Sequence, residues 1–279
     1  MEAQLEKIIE VQKEAWNKSS SGWKKWDNMM MNFLKPMNTQ IIQMMKIQND
    51  DTILDVATGT GEPGLTIASI VDRGKVVGTD LSEEMLSVAK EKAHNLHISN
   101  YETVCCDVSA LPFDNDSFNS ISCRLGFMFF PDIQIALEEM LRVLKPGGGI
   151  SISVWGVREK NSWINVSMET MISSLELAPP VSGAPGAFRC SETGFMTDHL
   201  RQAGIKNIVE KHLEGKLKCG NKETYWNFIT EAGSPMAFGK ADEALKQKIK
   251  NEVLTKVDLK CPGENIELDS SSIIIYGEK

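Results

Sequence analysis

The segment that most constrains this chain is Asp55-Val-Ala-Thr-Gly-Thr-Gly-Glu-Pro-Gly64, which follows directly on the apolar run Thr52-Ile-Leu54. It reads as a buried strand, a glycine-rich turn and the start of a helix, the unit from which parallel α/β sheets are built. Gly59 and Gly61 allow backbone angles closed to other residues and let a ligand approach the main chain, while Pro63 suits the first turn of the helix that follows. The free amides of that helix are expected to point at the ligand.

The same residues contain a literal Gly-x-Gly-x-x-Gly, which alone would suggest a dinucleotide turn. Asp55 argues against that. A carboxylate where the strand ends would repel a pyrophosphate but suits a ligand carrying an ammonium and a sulfonium, such as S-adenosylmethionine. Next, Lys75-Val-Val-Gly-Thr-Asp80 is a short apolar strand ending in an acid roughly 20 residues past the glycines, where a carboxylate can accept both hydroxyls of a ribose. Asp80 in itself fits either cofactor. A third strand from Tyr101 is followed by Asp107 and Val108, whose carboxylate and amide can read an adenine edge. Ser117 to Gly126 reads as a fourth strand, Ile133 to Val143 as an amphipathic helix, Leu144-Lys-Pro-Gly-Gly-Gly149 as a stop, and Ile150 to Trp155 as a fifth strand.

With these segments in this order, the chain resembles the class I S-adenosylmethionine-dependent methyltransferases, in the type 11 subgroup that includes the ubiquinone and menaquinone C-methyltransferases. The resemblance is carried by Leu54-Asp-Val-Ala-Thr-Gly-Thr-Gly61, Gly78-Thr-Asp80-Leu-Ser82, Asp107 with Leu111-Pro-Phe113, and Arg142-Val-Leu-Lys-Pro-Gly-Gly148, and covers roughly residues 50 to 156. It implies an α/β fold: a Rossmann-like, doubly wound, seven-stranded and mostly parallel sheet with a reversed last strand, an N-terminal helical segment and a helical cap insertion. It also implies S-adenosyl-L-methionine as cofactor, held by Asp55, Ala57, Thr58, Gly59, Gly61, Asp80, Leu81, Asp107, Val108 and Arg124. One departure is visible, since Ala57 stands where the family's signature has its first glycine; Ala is small enough for binding to survive.

Four parts are expected along the chain: a helical lid segment over residues 1–48, a cofactor-binding core over 49–156, cap helices over 157–204, and a completion of the sheet with helices over 205–279. The first part shows helical periodicity interrupted at Ser19-Ser-Ser-Gly22 and is rich in Trp16, Trp23, Trp26 and Met29-Met-Met31. In related enzymes such a segment packs over the cofactor. Glu83 to Asn95 reads as a helix, as do Asn161 to Leu177, Glu192 to Ala203, Glu223 to Thr230 and Ala241 to Lys256. Pro179 to Gly186 is a Pro/Gly-rich loop, and Ile205 to Lys218 and Ser271 to Tyr276 are the last strands.

A formal net charge of −8 disfavours nonspecific attraction to nucleic acid or to anionic lipid. No stretch is apolar enough to span a bilayer and the N-terminus is no signal peptide, so a cytoplasmic protein without integral membrane association is expected. The six cysteines form no Cys-x-x-Cys pair and no metal set; Cys105 and Cys106 are read as packed strand residues. The oligomeric state stays open.

A sulfonium makes its methyl group electrophilic, so such a protein mainly has to place a small-molecule acceptor in line behind it. No residue announces itself as a general base. Arg124 could bind an acceptor carboxylate or enolate, or pair with a nearby acid; Trp155, Asn161, Trp163 and Trp23 are candidates for the acceptor wall. A quinone-like C-methylation leads, beside O- or N-methylation of another metabolite. A non-catalytic cofactor-binding module and a nicotinamide-dependent oxidoreductase are the readings from other classes.

Overall fold

Seven strands form a single sheet in the order β3-β2-β1-β4-β5-β7-β6. They are β1 (Thr52–Val56), β2 (Lys75–Asp80), β3 (Tyr101–Cys105), β4 (Phe118–Arg124), β5 (Leu144–Trp155), β6 (Lys206–Gly220) and β7 (Ile266–Glu278). The computed structural model describes residues 2–178, 181, 183–233 and 241–279. The first five strands are parallel, β7 runs antiparallel to β5, and β6 is antiparallel to β7. Helices cover both faces, as the doubly wound expectation requires.

Position in the sheet explains the strand sequences. β1 lies at the centre, and Ile53, Leu54, Asp55 and Val56 are all buried because both of its faces are covered. The chain adds β2 and β3 on one side of β1 and then crosses to place β4 on the other. That reversal opens a crevice beyond the carboxyl ends of β1 and β4, where open α/β sheets bind ligands.

The helices are α1 (Glu2–Lys25), α2 (Asp27–Met45), α3 (Gly64–Ala68), α4 (Glu83–Asn95), α5 (Ile133–Val143), α6 (Ser162–Ser174), α7 (Phe195–Gln202), α8 (Lys222–Phe228) and α9 (Glu243–Lys260). The boundaries of α4 and α5 coincide with those read from sequence, because both carry strong local signals. Ser82 caps α4 by accepting the Met85 N–H, with Glu83 and Glu84 in its first turn; Asp132 caps α5 by accepting from Gln134 and Ile135.

Three expectations are corrected. The helix α1 runs unbroken through Ser19-Ser-Ser-Gly22 and ends at Lys25. The Ser19 hydroxyl bonds back to the Ala15 carbonyl, and a Cβ on Gly22 would lie 2.0 Å from the Glu231 carbonyl oxygen, so the glycine serves close helix packing and not a break. The segment Leu144–Gly149 is not a stop before β5 but its first half, Leu144 pairing with Phe118 before an irregular step to Gly149. Likewise β7 begins at Ile266 rather than Ser271, because it pairs with β6 along that whole length. Of the Pro/Gly-rich loop, Pro179, Pro180 and Ser182 lie outside the described residues.

Candidate functional site

The glycine turn is built on a buried acid. Asp55 is fully buried; Oδ1 accepts the Ser122 hydroxyl at 2.6 Å, and Oδ2 accepts the Thr58 hydroxyl at 2.5 Å and the Gly64 N–H at 3.0 Å. Burial pushes its carboxyl up to about 6, against the pull of those hydrogen bonds. The carboxylate therefore folds the turn back on itself, and it lies behind the cavity wall. The amides of α3 are not free either: Gly64 donates to Asp55, Leu65 to the Gly61 carbonyl and Thr66 to Glu62. This corrects the expectation of open helix amides, which α3, with only five residues, spends internally.

What the turn presents is its backbone. At Gly59, φ is +55° and no atom lies within 4 Å of where a Cβ would stand, so this side of the chain faces open space. At Gly61, φ is +102° and a Cβ would meet Leu65 at 2.6 Å; this glycine serves packing and lies off the cavity. Ala57 adopts φ +53°, the left-handed region that a glycine would enter without cost.

Beyond this turn lies a cavity of about 510 Å³. One end is lined by Ala57, Thr58, Gly59, Thr60, Asp80, Leu81, Cys106, Asp107 and Val108, which come from the ends of β1, β2 and β3. Asp80 is set by two amides: Gly59 donates to Oδ2 and Ser82 to Oδ1, each at 2.9 Å. Each oxygen keeps a further lone pair, so the pair of oxygens can still accept a vicinal diol. Burial raises the Asp80 pKa, opposed by those amides. Asp107 caps a 3-10 turn by accepting the Ser109 N–H.

The other end is aromatic. Trp155 and Trp163 approach to 5.1 Å between ring centroids, and Phe33 stacks on Trp155 at 5.9 Å from behind. Trp16 meets Phe129 edge-on at 5.1 Å. Arg124 is 8% exposed and reaches the cavity, with Nη1 donating to Asn38 Oδ1 on α2 at 2.9 Å. Burial lowers its pKa, while the fields of Glu62, Asp55 and Asp27 hold it up.

The structure thus brings together Ala57, Thr58, Gly59, Asp80, Leu81, Asp107, Val108, Arg124, Trp23, Trp155 and Trp163, and leaves Asp55, Gly61 and Asn161 outside the lining. Asn161 corrects the acceptor-wall expectation. It is fully buried, donates to the Gly156, Val157 and Ser271 carbonyls, and accepts from the Ser271 amide and the Trp163 indole, so it ties β5 to β7 and orients Trp163. Of the two cysteines read as packed strand residues, Cys105 ends β3 but is exposed, and Cys106 lies just past the strand, half-buried against the core and lining the cavity, its thiol pushed up to about 12 chiefly by burial and so protonated at neutral pH. On the inner face of α1, Ile9, Gln12, Trp16, Ser19 and Trp23 recur at helical spacing; Trp23 and the aromatic character of this segment were read from the sequence, whereas Ile9, Gln12 and Ser19 were missed, although their helical spacing was the available signal.

Two lining atoms, the Trp23 Nε1 and the Thr60 Oγ1, are buried without a protein partner. Such groups call for a ligand with hydrogen-bonding atoms. An acid with lone pairs free for a diol, an open glycine and an adjoining carboxylate and amide at one end, with π faces at the other, fit an adenosyl sulfonium as the resident group.

Comparison with known proteins agrees. The model of the ubiE/COQ5 methyltransferase family matches residues 13–164, more than half of the chain, and the chain belongs to that family. Over 117 residues it is 37% identical to the demethylmenaquinone methyltransferase of Oceanobacillus iheyensis, covering 42% of this chain and 49% of that protein. The chain thus spans about half the length of the curated relatives it matches. Among solved structures, a protein of Bacillus halodurans C-125 superposes with a TM-score of 0.59 at 20% identity, covering 87% of this chain and 98% of that one. The phosphoethanolamine N-methyltransferase 2 of Haemonchus contortus superposes at 0.54 and 17% identity, covering 88% of this chain and 52% of that one. Likenesses of this order share the fold.

Proposed function

We propose that this member of the ubiE/COQ5 methyltransferase family transfers a methyl group from S-adenosylmethionine to a flat, apolar small molecule. The observation that carries the reading is the two-ended cavity, with Asp80 and the open Gly59 at one end and Trp23, Trp155 and Trp163 at the other. When bound, the sulfonium supplies an electrophilic methyl group. Asp80 accepts the ribose hydroxyls, Asp107 and the Val108 amide read the base, and the aromatic walls orient the acceptor and exclude water.

The lining carries no histidine among the described residues. Cys106 holds its proton, and Asp80 and Asp107 sit at the adenosyl end. The acceptor is therefore one that is nucleophilic by itself, such as the ring carbon of a hydroquinone monoanion, whose negative charge buried Arg124 stabilises; the methyl–sulfur bond breaks as the carbon–methyl bond forms, and the ring C–H proton then leaves to water as the ring regains aromaticity. Quinol C-methylation fits this description best and agrees with the naming of the curated relatives. The test is methyl transfer from labelled S-adenosylmethionine to a short-chain 1,4-naphthoquinol, with catechol and amine acceptors in parallel. Label in the naphthoquinol carbon is the expected result; label confined to oxygen or nitrogen acceptors would overturn the C-methylation reading.

A further inference from the structure

The helix α1 does more than cover the cavity, because one of its side chains enters the hydrogen-bond chain that sets Asp80. The Ser82 hydroxyl accepts the Met85 N–H at 3.1 Å, which uses a lone pair and leaves its own proton to be donated elsewhere. That acceptor is Asn17 Oδ1 on α1, at 2.6 Å and sixty-five positions away in sequence. The Ser82 amide donates to Asp80 Oδ1, and Asp80 Oδ2 receives the Gly59 N–H. A continuous chain therefore runs Asn17–Ser82–Asp80–Gly59, from the covering helix to the open backbone of the glycine turn. Ser82 is fully buried, so its hydroxyl has no water to replace Asn17 while α1 is seated.

The other polar ties of α1 are of a different kind. Lys24 pairs with Glu91, and Lys25 with Glu231, with half or more of each lysine side chain in solvent. Exposed pairs of this type contribute little. Asn17 alone among these ties reaches the Asp80 network. On the cavity side of the same helix stand Trp16, Ser19 and Trp23.

We propose that Asn17 is a positioning residue that couples the seating of α1 to the orientation of Asp80, so that a ribose diol bound at Asp80 and a seated α1 stabilise one another. The proposal rests on the cofactor reading above. Coupling of this kind is reciprocal: if α1 seating tightens the ligand, the ligand must hold α1 down.

Calorimetric titration with S-adenosylhomocysteine, paired with hydrogen exchange of the α1 amides, tests both directions. Asn17→Ala is expected to weaken binding by about threefold to tenfold, the range of one lost neutral hydrogen bond. It should also reduce the ligand-dependent protection of α1. Ser82→Ala weakens binding too, and Asn17→Ala added to it should have no further effect, since the Asn17 side chain reaches Asp80 only through the Ser82 hydroxyl. Lys24→Ala should bind as the wild type does. Equal affinity of Asn17→Ala and wild type, or full additivity with Ser82→Ala, overturns the coupling while leaving the cofactor reading intact. Failure of the wild type itself to bind S-adenosylhomocysteine removes the cofactor reading and the coupling with it.

Discussion

Asp55 shows how one residue can be essential to a site without touching its ligand. Its folded pKa of about 6 lies above the ordinary 3.8, so the folded state holds a proton that the unfolded chain has already released in that window. The corresponding stability is present below about pH 4 and is lost as pH rises through about 6. Urea unfolding of wild type relative to Asp55→Asn should therefore show wild type losing about 2 kcal/mol between about pH 4 and pH 7. A pH-independent difference would place the charge elsewhere. Gly78 makes a complementary point on β2. A Cβ there would lie 2.3 Å from the Tyr101 hydroxyl, which is itself held at 3.0 Å from Thr58 in the turn. Gly78→Ala is expected to cost roughly 1–3 kcal/mol in chemical denaturation, as overpacking does; an unchanged midpoint would mean that Tyr101 moves freely.

At the scale of elements, the covering helix and the sheet separate cleanly. Residues 1–48 read as one segment in sequence, yet α2 carries Met30, Leu34, Met37 and Ile41 into the core, whereas α1 contributes mainly a cavity face. Deleting residues 1–25 should accordingly leave a cooperatively unfolding protein whose affinity for S-adenosylhomocysteine drops at least about tenfold, because Trp16, Asn17 and Trp23 leave together. Full affinity in the truncated protein would show that α1 is no part of the site. The same contrast explains what could be read from the chain alone. The elements α4, α5, β1 and β2 carry caps, periodicity or continuous apolar runs, and these are local signals. Asn161, the reach of β5 back to Leu144 and the unbroken course of α1 through Gly22 depend on Ser271, Phe118 and Glu231, partners far away in sequence. Asp80, Asp107 and the glycine turn were legible as a set because each follows its own strand. Asp55 was legible as a residue of the turn but not as its buried brace, since burial is a property of the neighbours β2 and β4.

For the whole molecule, the cavity is walled by the ends of the five parallel strands, by α1 and by α6, so a bound ligand ties the parallel part of the sheet to the covering helices. Ligand at about one hundred times its dissociation constant should stabilise the fold by about 2.7 kcal/mol. For a domain of this size that corresponds to a rise in melting temperature of roughly 5–10 °C, in a single shifted transition. A shift confined to part of the unfolding curve would mean that the ligand engages only one layer. The central claim, that the turn and Asp80 hold an adenosyl sulfonium and not a dinucleotide, is met most directly by calorimetric titration of the wild type and of Asp80→Ala with S-adenosylmethionine, S-adenosylhomocysteine and NADH. The account predicts micromolar binding of both adenosyl ligands, none of NADH, and a loss of at least about tenfold in Asp80→Ala, where a charge-assisted contact to two hydroxyls is removed. Binding of NADH in their place, or an Asp80→Ala protein with undiminished affinity, would contradict it.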